Sequence, residues 1–202
     1  MDERVNRQRG WRLAIKRAID VTVAGAGLLV VAPVLAAGAC AVRASMGSPV
    51  MFKQQRPGRY GRAFVIRKFR TMTDARDATG KLLPDAERLT TVGRIIRASS
   101  IDELPQLWNV LRGEMNVVGP RPERPSIFLS LRNKVENYHL RQRVKPGITG
   151  WAQVNQAYDS SVEDVKNKVK LDLVYIANRS IWLDVKIMAN TLPVMIGRKG
   201  AH

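Results

Sequence analysis

The sequence is short of metal-binding and redox side chains: it has one cysteine, Cys40, and two histidines, His139 and His202, in 202 residues. A single thiol excludes a disulfide within the chain. Two histidines without cysteine partners exclude an ordinary zinc centre, so any metal must sit on carboxylates, which favours Mg²⁺ or Mn²⁺. Acidic residues are also scarce. Seventeen Asp and Glu stand against 34 Lys and Arg, leaving a net charge of +17. There is no internal repeat, no low-complexity tract and no linker, so residues 1–202 read as one domain.

Such a basic chain needs an anionic partner: nucleic acid, an acidic membrane surface or a phosphorylated substrate. Nucleic acid is disfavoured, because the few aromatics (6% of residues) are not interleaved with basic ones in a recognisable module. At 45% hydrophobic and 25% charged, the composition is that of a folded protein.

What is present is a long apolar run. The 22 residues between Asp20 and Arg43 carry no charge, which is the length of a membrane segment. A basic stretch precedes it, but no clear cleavage site follows, which argues against a secretory signal. Pro33 sits near the middle and removes a helix hydrogen bond, while Gly25, Gly27 and Gly38 weaken the helix further. Both flanks are basic (Arg12, Lys16 and Arg17 before; Arg43, Lys53 and Arg56 after), which places both in the cytoplasm. A helix broken at Pro33 satisfies these constraints: residues 21–32 would reach roughly 18 Å, about half a bilayer core, and turn back. The alternative is an ordinary kinked span. The expectation is a re-entrant membrane helix over about 14–43 and a cytoplasmic part over 44–202 lying on the membrane.

Downstream, runs near 50–54 and 63–69 predict a β-hairpin. Residues 74–86 read as a loop. Leu89, Val92, Ile95 and Ile96 mark one face of an amphipathic helix, with Arg88, Arg94 and Arg97 opposite, suited to a membrane interface or a soluble core. Helices are expected over 104–112, 126–143, 161–178 and 181–196, the last bent or ended by Pro193 and carrying Trp182. The fold class is therefore mainly α with a small β-hairpin.

The stretch 97–124, RASSIDELPQLWNVLRGEMNVVGPRPER, holds the candidate chemistry. With Asp102 as N-cap, Pro105 falls in the first helical turn, where its missing N–H costs nothing. By itself this describes a helix start and no more. Yet a helix N-terminus also keeps a carboxylate ionised for attack on phosphorus. Arg97, Arg121 and Arg124 can neutralise phosphate, with Pro120 and Pro122 stiffening the loop around Arg121.

Six pieces occur in the order of a known family: KRAID at 16–20, the Pro-broken apolar segment, QQRPG at 54–58, KFRTM at 68–72, SSIDELPQLWNVLRGEMNVVGPRP at 99–122 and KPGITGWAQVN at 145–155. From Lys16 onward the chain resembles the monotopic phosphoglycosyl transferases, the bacterial sugar transferase family, in its minimal catalytic-core form. The resemblance implies transfer of a sugar 1-phosphate from a UDP-sugar to undecaprenyl phosphate, releasing UMP, with Mg²⁺ as cofactor. Asp102 matches the nucleophile that forms a covalent phosphosugar, and Glu103 its partner in metal or proton handling. Arg97 and Arg121 match basic positions at the site, and Lys68 and Arg70 lie at its edge. The expected setting is the cytoplasmic face of the bacterial inner membrane with its anionic lipids, at the first membrane step of exopolysaccharide, capsule or glycoconjugate synthesis. A homodimer and downstream glycosyltransferases are candidate protein partners. Family members often have Ser before the proline; here it is Ala32, which leaves the break to Pro33 and its neighbours.

Overall fold

The computed structural model describes residues 10–156 and 161–197, the side chains of 192–197 excepted. Helix α1 spans Gly10–Met46 and runs through Pro33 without interruption. The expected break at Pro33 is therefore not seen as a gap in the helix, and α1 is longer at both ends than the 14–43 read from hydropathy. Its inward face is a seam of small or short-contact residues, Asp20, Ala24, Gly38 and Val42, all buried. Leu29 and Val30 point away and are nearly four-fifths exposed.

Strands β1 (Met51–Pro57) and β2 (Ala63–Phe69) form the predicted antiparallel hairpin, with Met51 opposite Phe69 and Pro57 opposite Ala63. On β2 the side chains of Phe64 and Ile66 are buried, and two-residue alternation puts Lys68 on the same face. The helices α2 (Asp85–Arg88) and α3 (Thr91–Ala98) follow a loop. The Thr90 hydroxyl accepts from Gly93 N–H and caps α3, so the amphipathic helix is shorter than its apolar pattern. Ile96 enters the core beside Val42 and Phe69, while Ile95 stays exposed.

A single 3₁₀ turn, Ile101–Glu103, leads into α4 (Gln106–Leu111). Asp102 is inside this turn and is not an N-cap, which corrects the sequence expectation. Ser100 takes a left-handed conformation (φ 55°) and starts the turn, and Pro105 occupies the N-cap of α4. Beyond it, β3 (Asn116–Val118) pairs in parallel with β4 (Gly147–Thr149), a second small sheet that the sequence did not announce. The helix expected over 126–143 is two pieces: α5 (Pro125–Leu131) and a 3₁₀ segment, Tyr138–Arg143. The junction is Asn137, which takes φ 60°, a conformation that asparagine tolerates better than most residues. Then come α6 (Trp151–Asn155), α7 (Val162–Asn178, opened by a Ser161–Asp164 capping box) and α8 (Ile181–Gly197). Helix α8 continues past residue 193.

The main core gathers Phe64, Ile66, Val110, Met115, Val118, Tyr175 and Ile187 between the hairpin, β3 and the last two helices. Polar groups lock the pieces together. Arg17 donates to the Val110 and Leu111 carbonyls at the end of α4, as a cation suits a helix C-terminus. Lys16 pairs with Asp184 at 2.6 Å, and the Asp20 carboxylate accepts from Val117 N–H at 3.1 Å. Asn109 bridges α4 to β2, donating to Val65 O at 2.7 Å and accepting from Arg67 N–H at 3.3 Å.

Helix α3 lies so close to the end of β2 that a Cβ on Gly93 would stand 1.9 Å from the Thr71 carbonyl oxygen. Gly93→Ala must therefore push the backbones apart, lowering stability by about 1–3 kcal/mol. Gly25 on α1 has nothing within 4 Å of such a Cβ, so Gly25→Ala should leave stability unchanged or slightly raised. Thermal melts of the two variants in detergent or nanodiscs test the contrast; equal melting temperatures would contradict it.

Candidate active site

The turn Ile101–Glu103 opens onto a cleft of about 1110 Å³ between the hairpin, α3 and the β3–β4 region. Lys68, Arg70, Arg97, Asp102, Glu103, Arg121 and Arg124 all line it. Seven residues drawn from four separate stretches of sequence thus face one space. Pro33 lies elsewhere, on α1.

Glu103 is the hub. Lys68 Nζ approaches its Oε1 at 2.6 Å, Arg121 Nη1 donates to Oε2 at 3.0 Å, and Arg121 Nη2 pairs with Oε1. Burial opposes the charge on Glu103, but Arg121 and Lys68 overcome it and hold the carboxyl well below the usual carboxylate range. Glu103 in turn raises the Arg121 pKa above its ordinary value. For Lys68, burial outweighs the attraction of Glu103 and moves its pKa down. Lys68 is therefore central to the cluster and not at its margin.

Asp102 differs from its neighbour. Its side chain accepts no hydrogen bond from the described residues. Burial, followed by repulsion from Glu103, pushes its pKa up to about 6, against the pull of Lys68, Arg97 and Arg121. A three-residue turn supplies no helix dipole of the kind expected from sequence. The cations around the cleft, not a helix end, keep Asp102 from rising further.

The other cations divide by what holds them. Arg97 Nε donates to the Thr71 hydroxyl at 2.9 Å, which fixes its direction from α3. Arg70 pairs with Asp74 at 2.6 Å and donates to the carbonyls of Met72 and Met46, so most of its guanidinium ties the hairpin to the end of α1. Arg124 stands exposed at the N-cap of α5. Arg56 lines the same cleft and donates to Pro122 O at 3.1 Å. In the sequence it is only one of the basic residues flanking the apolar segment, and it is the arginine of QQRPG.

The loop that carries Arg121 is held from behind. A Cβ on Gly147 would meet Gly119 N at 2.1 Å, so β4 and this loop approach at a distance only glycine permits. Arg141 donates to the Arg121 carbonyl at 3.1 Å and pairs with buried Asp172 of α7 at 2.7 Å. Nothing local in the sequence reveals Arg141, since its partners are 20 and 31 residues away.

Among the described residues no group of three or more His, Cys, Asp or Glu converges as a metal cage. Mg²⁺ does not require one, because it binds through one or two carboxylates plus substrate phosphates and water. The open carboxylate of Asp102 fits that donor set. Both oxygens of Glu103 are engaged by cations, so Glu103 would join only by exchanging a partner.

A family model described as bacterial sugar transferase matches residues 11–198. The "Uncharacterized sugar transferase EpsL" of Bacillus subtilis (strain 168) is 46% identical over 93% of this chain and 90% of its own. The "Undecaprenyl-phosphate glucose phosphotransferase" of Komagataeibacter xylinus is 46% identical over 90% of this chain. The "UDP-glucose:undecaprenyl-phosphate glucose-1-phosphate transferase" of Escherichia coli (strain K12) is 41% identical over 91% of it. The chain spans only 36% and 40% of those last two proteins. The match takes in the hairpin, the 3₁₀ turn and the glycine-bound loop that together build the cleft, and the chain belongs to the bacterial sugar transferase family.

Proposed function

We propose that the chain is a phosphoglycosyl transferase that moves a sugar 1-phosphate from a UDP-sugar to undecaprenyl phosphate. The observation that carries the reading is the pair of adjacent carboxylates with opposite environments, one saturated by cations and one open to a cationic cleft. The names of the relatives from K. xylinus and E. coli supply the substrate class. In the first step an Asp102 oxygen attacks the β-phosphorus, an acyl phosphate bond forms, and the bridging P–O bond breaks to release UMP. In the second, a phosphate oxygen of undecaprenyl phosphate attacks the same phosphorus. Polyprenyl-diphosphate-sugar leaves and the Asp102 carboxylate is regenerated. Mg²⁺, held by Asp102 and the diphosphate with Glu103 alongside, would neutralise charge on the transferring oxygens. Glu103 keeps Arg121 and Lys68 aimed into the cleft, and Arg97, directed by Thr71, neutralises phosphate.

The membrane arrangement follows from α1. At 1.5 Å per residue a 37-residue helix is roughly 55 Å long, well beyond a bilayer core of about 30 Å. Arg17 near its start is tied to the end of α4, and Met46 at its end to Arg70. Both ends therefore pack on one body, which supports a monotopic, re-entrant placement with Leu29 and Val30 in lipid. Exposed Ile95 on α3 and Trp182 on α8 suit the interface of the cytoplasmic face, and the basic surplus suits its anionic lipids. The first membrane step of exopolysaccharide, capsule or glycoconjugate synthesis is the corresponding role.

UMP release should require both polyprenyl phosphate and Mg²⁺, and Asp102→Asn should lower turnover at least about 10³-fold and abolish the protein-bound phosphosugar. Near-normal turnover by that variant would exclude the covalent route. The attacking carboxylate must be ionised, so kcat/KM should fall as pH drops below about 6. Lys68→Met removes a cation that lowers the Asp102 pKa and should move this limb to higher pH; a limb that stays put would detach it from Asp102. In a Cys40→Ala background, Val5→Cys and Val50→Cys should both label from the cytoplasmic side. Labelling from opposite sides would establish an ordinary span.

A further inference from the structure

The cleft holds more positive charge than its carboxylates neutralise, and the surplus is not evenly spread. Lys68 and Arg121 are matched by Glu103. Arg70 is matched by Asp74. Lys53, Arg56, Arg97 and Arg124 line the same cleft without an ion-pair partner among the described residues, and of these Arg56 and Arg124 meet at the loop after β3, where Arg56 donates to Pro122 O. Glu123, which precedes Arg124, is paired with other cations: Lys168 Nζ is 2.7 Å and Arg141 Nη2 3.9 Å from its Oε1.

Arg56 is also deliberately placed. It reaches from β1 to donate Nη1 to the Pro122 carbonyl, which lies between Arg121 and Arg124 in sequence. Its Nε is buried without a partner. Burial pulls its pKa down to about 10 against the attraction of Glu123, and repulsion from Arg124 and Arg121 adds to the fall, so three guanidinium groups influence one another here. Burying a guanidinium beside two others is unfavourable unless an anion joins them. Arginine pairs around an unfilled space are the usual hardware for phosphate.

We propose that Arg56 and Arg124 form a second phosphate subsite in the cleft, separate from the Glu103–Lys68–Arg121 cluster, that binds a phosphate monoester. The inference rests on the phosphoglycosyl transferase reading for its ligand. One product and one substrate of that reaction carry such a group: the departing UMP and the incoming polyprenyl phosphate. Either is dianionic, and the attack on phosphorus needs charge neutralised on the leaving or entering side in addition to the transferred group.

Equilibrium titration separates the sources and needs no turnover. UMP, uridine and farnesyl phosphate would be titrated into the intact protein in nanodiscs, as wild type, Arg124→Ala and Arg56→Lys. Arg124 is exposed, so its loss should not disturb folding, and Arg56→Lys retains the charge while removing the fork. Loss of the subsite should weaken one phosphate ligand about tenfold or more in both variants, and leave uridine unchanged. A loss confined to UMP assigns the subsite to the leaving nucleotide. A loss confined to farnesyl phosphate assigns it to the acceptor. Wild-type affinities in both variants, or equal losses for uridine, would overturn the subsite. Absence of wild-type turnover with a panel of UDP-sugars would instead overturn the reaction reading, and the titrations would still decide whether a phosphate subsite exists.

Discussion

The bonds from Glu103 to Lys68 and Arg121 are the constraint on which the rest of the site depends. They join three parts of the chain, the hairpin, the turn before α4 and the loop after β3, where Asn109 and Arg56 tie the hairpin to its neighbours on either side. Each cation is delivered by its own framework. Two-residue alternation on β2 and the Asn109 bridge bring Lys68 inward. The glycine-to-glycine approach of β4, and the Arg141–Asp172 pair behind it, bring Arg121. The three side chains are half-buried, so removing one member leaves the others uncompensated but partly screened by solvent, and costs less than the about 3–5 kcal/mol of a fully buried cluster. The cluster is thus a poor place for tolerance and a good one for fixing geometry.

The same cluster explains why two adjacent carboxylates behave oppositely. Glu103 absorbs the two strongest cations and stays ionised. Asp102 is left with burial, a negative neighbour and more distant positive charge, so its proton is held up to about pH 6. Paired titratable groups pushed apart by their surroundings are a usual sign of divided roles. On the proposed reaction, a carboxylate with no competing hydrogen bond is free to attack, while its neighbour is too well bound to do so.

Much of this was legible in the sequence, for reasons that are local. The hairpin follows from two β-rich runs around Pro57-Gly58, and helix α7 from its periodic apolar residues behind Ser161. Lys68, Arg70, Asp102, Glu103 and Arg121 sit in motifs of one family, so their convergence needed no long-range reasoning. What failed depended on contacts between distant residues. The capping role given to Asp102 was overridden by the left-handed Ser100 and by Pro105 at the N-cap of α4. The helix drawn across 126–143 stops at Leu131; beyond it Asn137 turns the chain, and Arg141 is drawn to a carboxylate on α7. Three-residue strands such as β3 and β4 carry no periodicity to detect.

Helix α1 connects the chemistry to its surroundings. A Cβ at Gly38 would lie 3.2 Å from the Phe69 ring and 3.7 Å from Ile101 Cγ2, and one at Gly27 would touch Leu107 at 3.4 Å. The residue before Asp102 and the one after Lys68 therefore rest directly on the apolar helix, and α4 rests on it one segment earlier. Larger residues at Gly38 would press on Phe69 and Ile101, and at Gly27 on Leu107, so small size here has a positional purpose beyond any effect on helix strength. With α1 in the bilayer as proposed, the turn sits where a polyprenyl phosphate presents its head group. The lipid would then need to move little to meet Asp102, and the hydrophobic chain could remain in the membrane throughout the transfer.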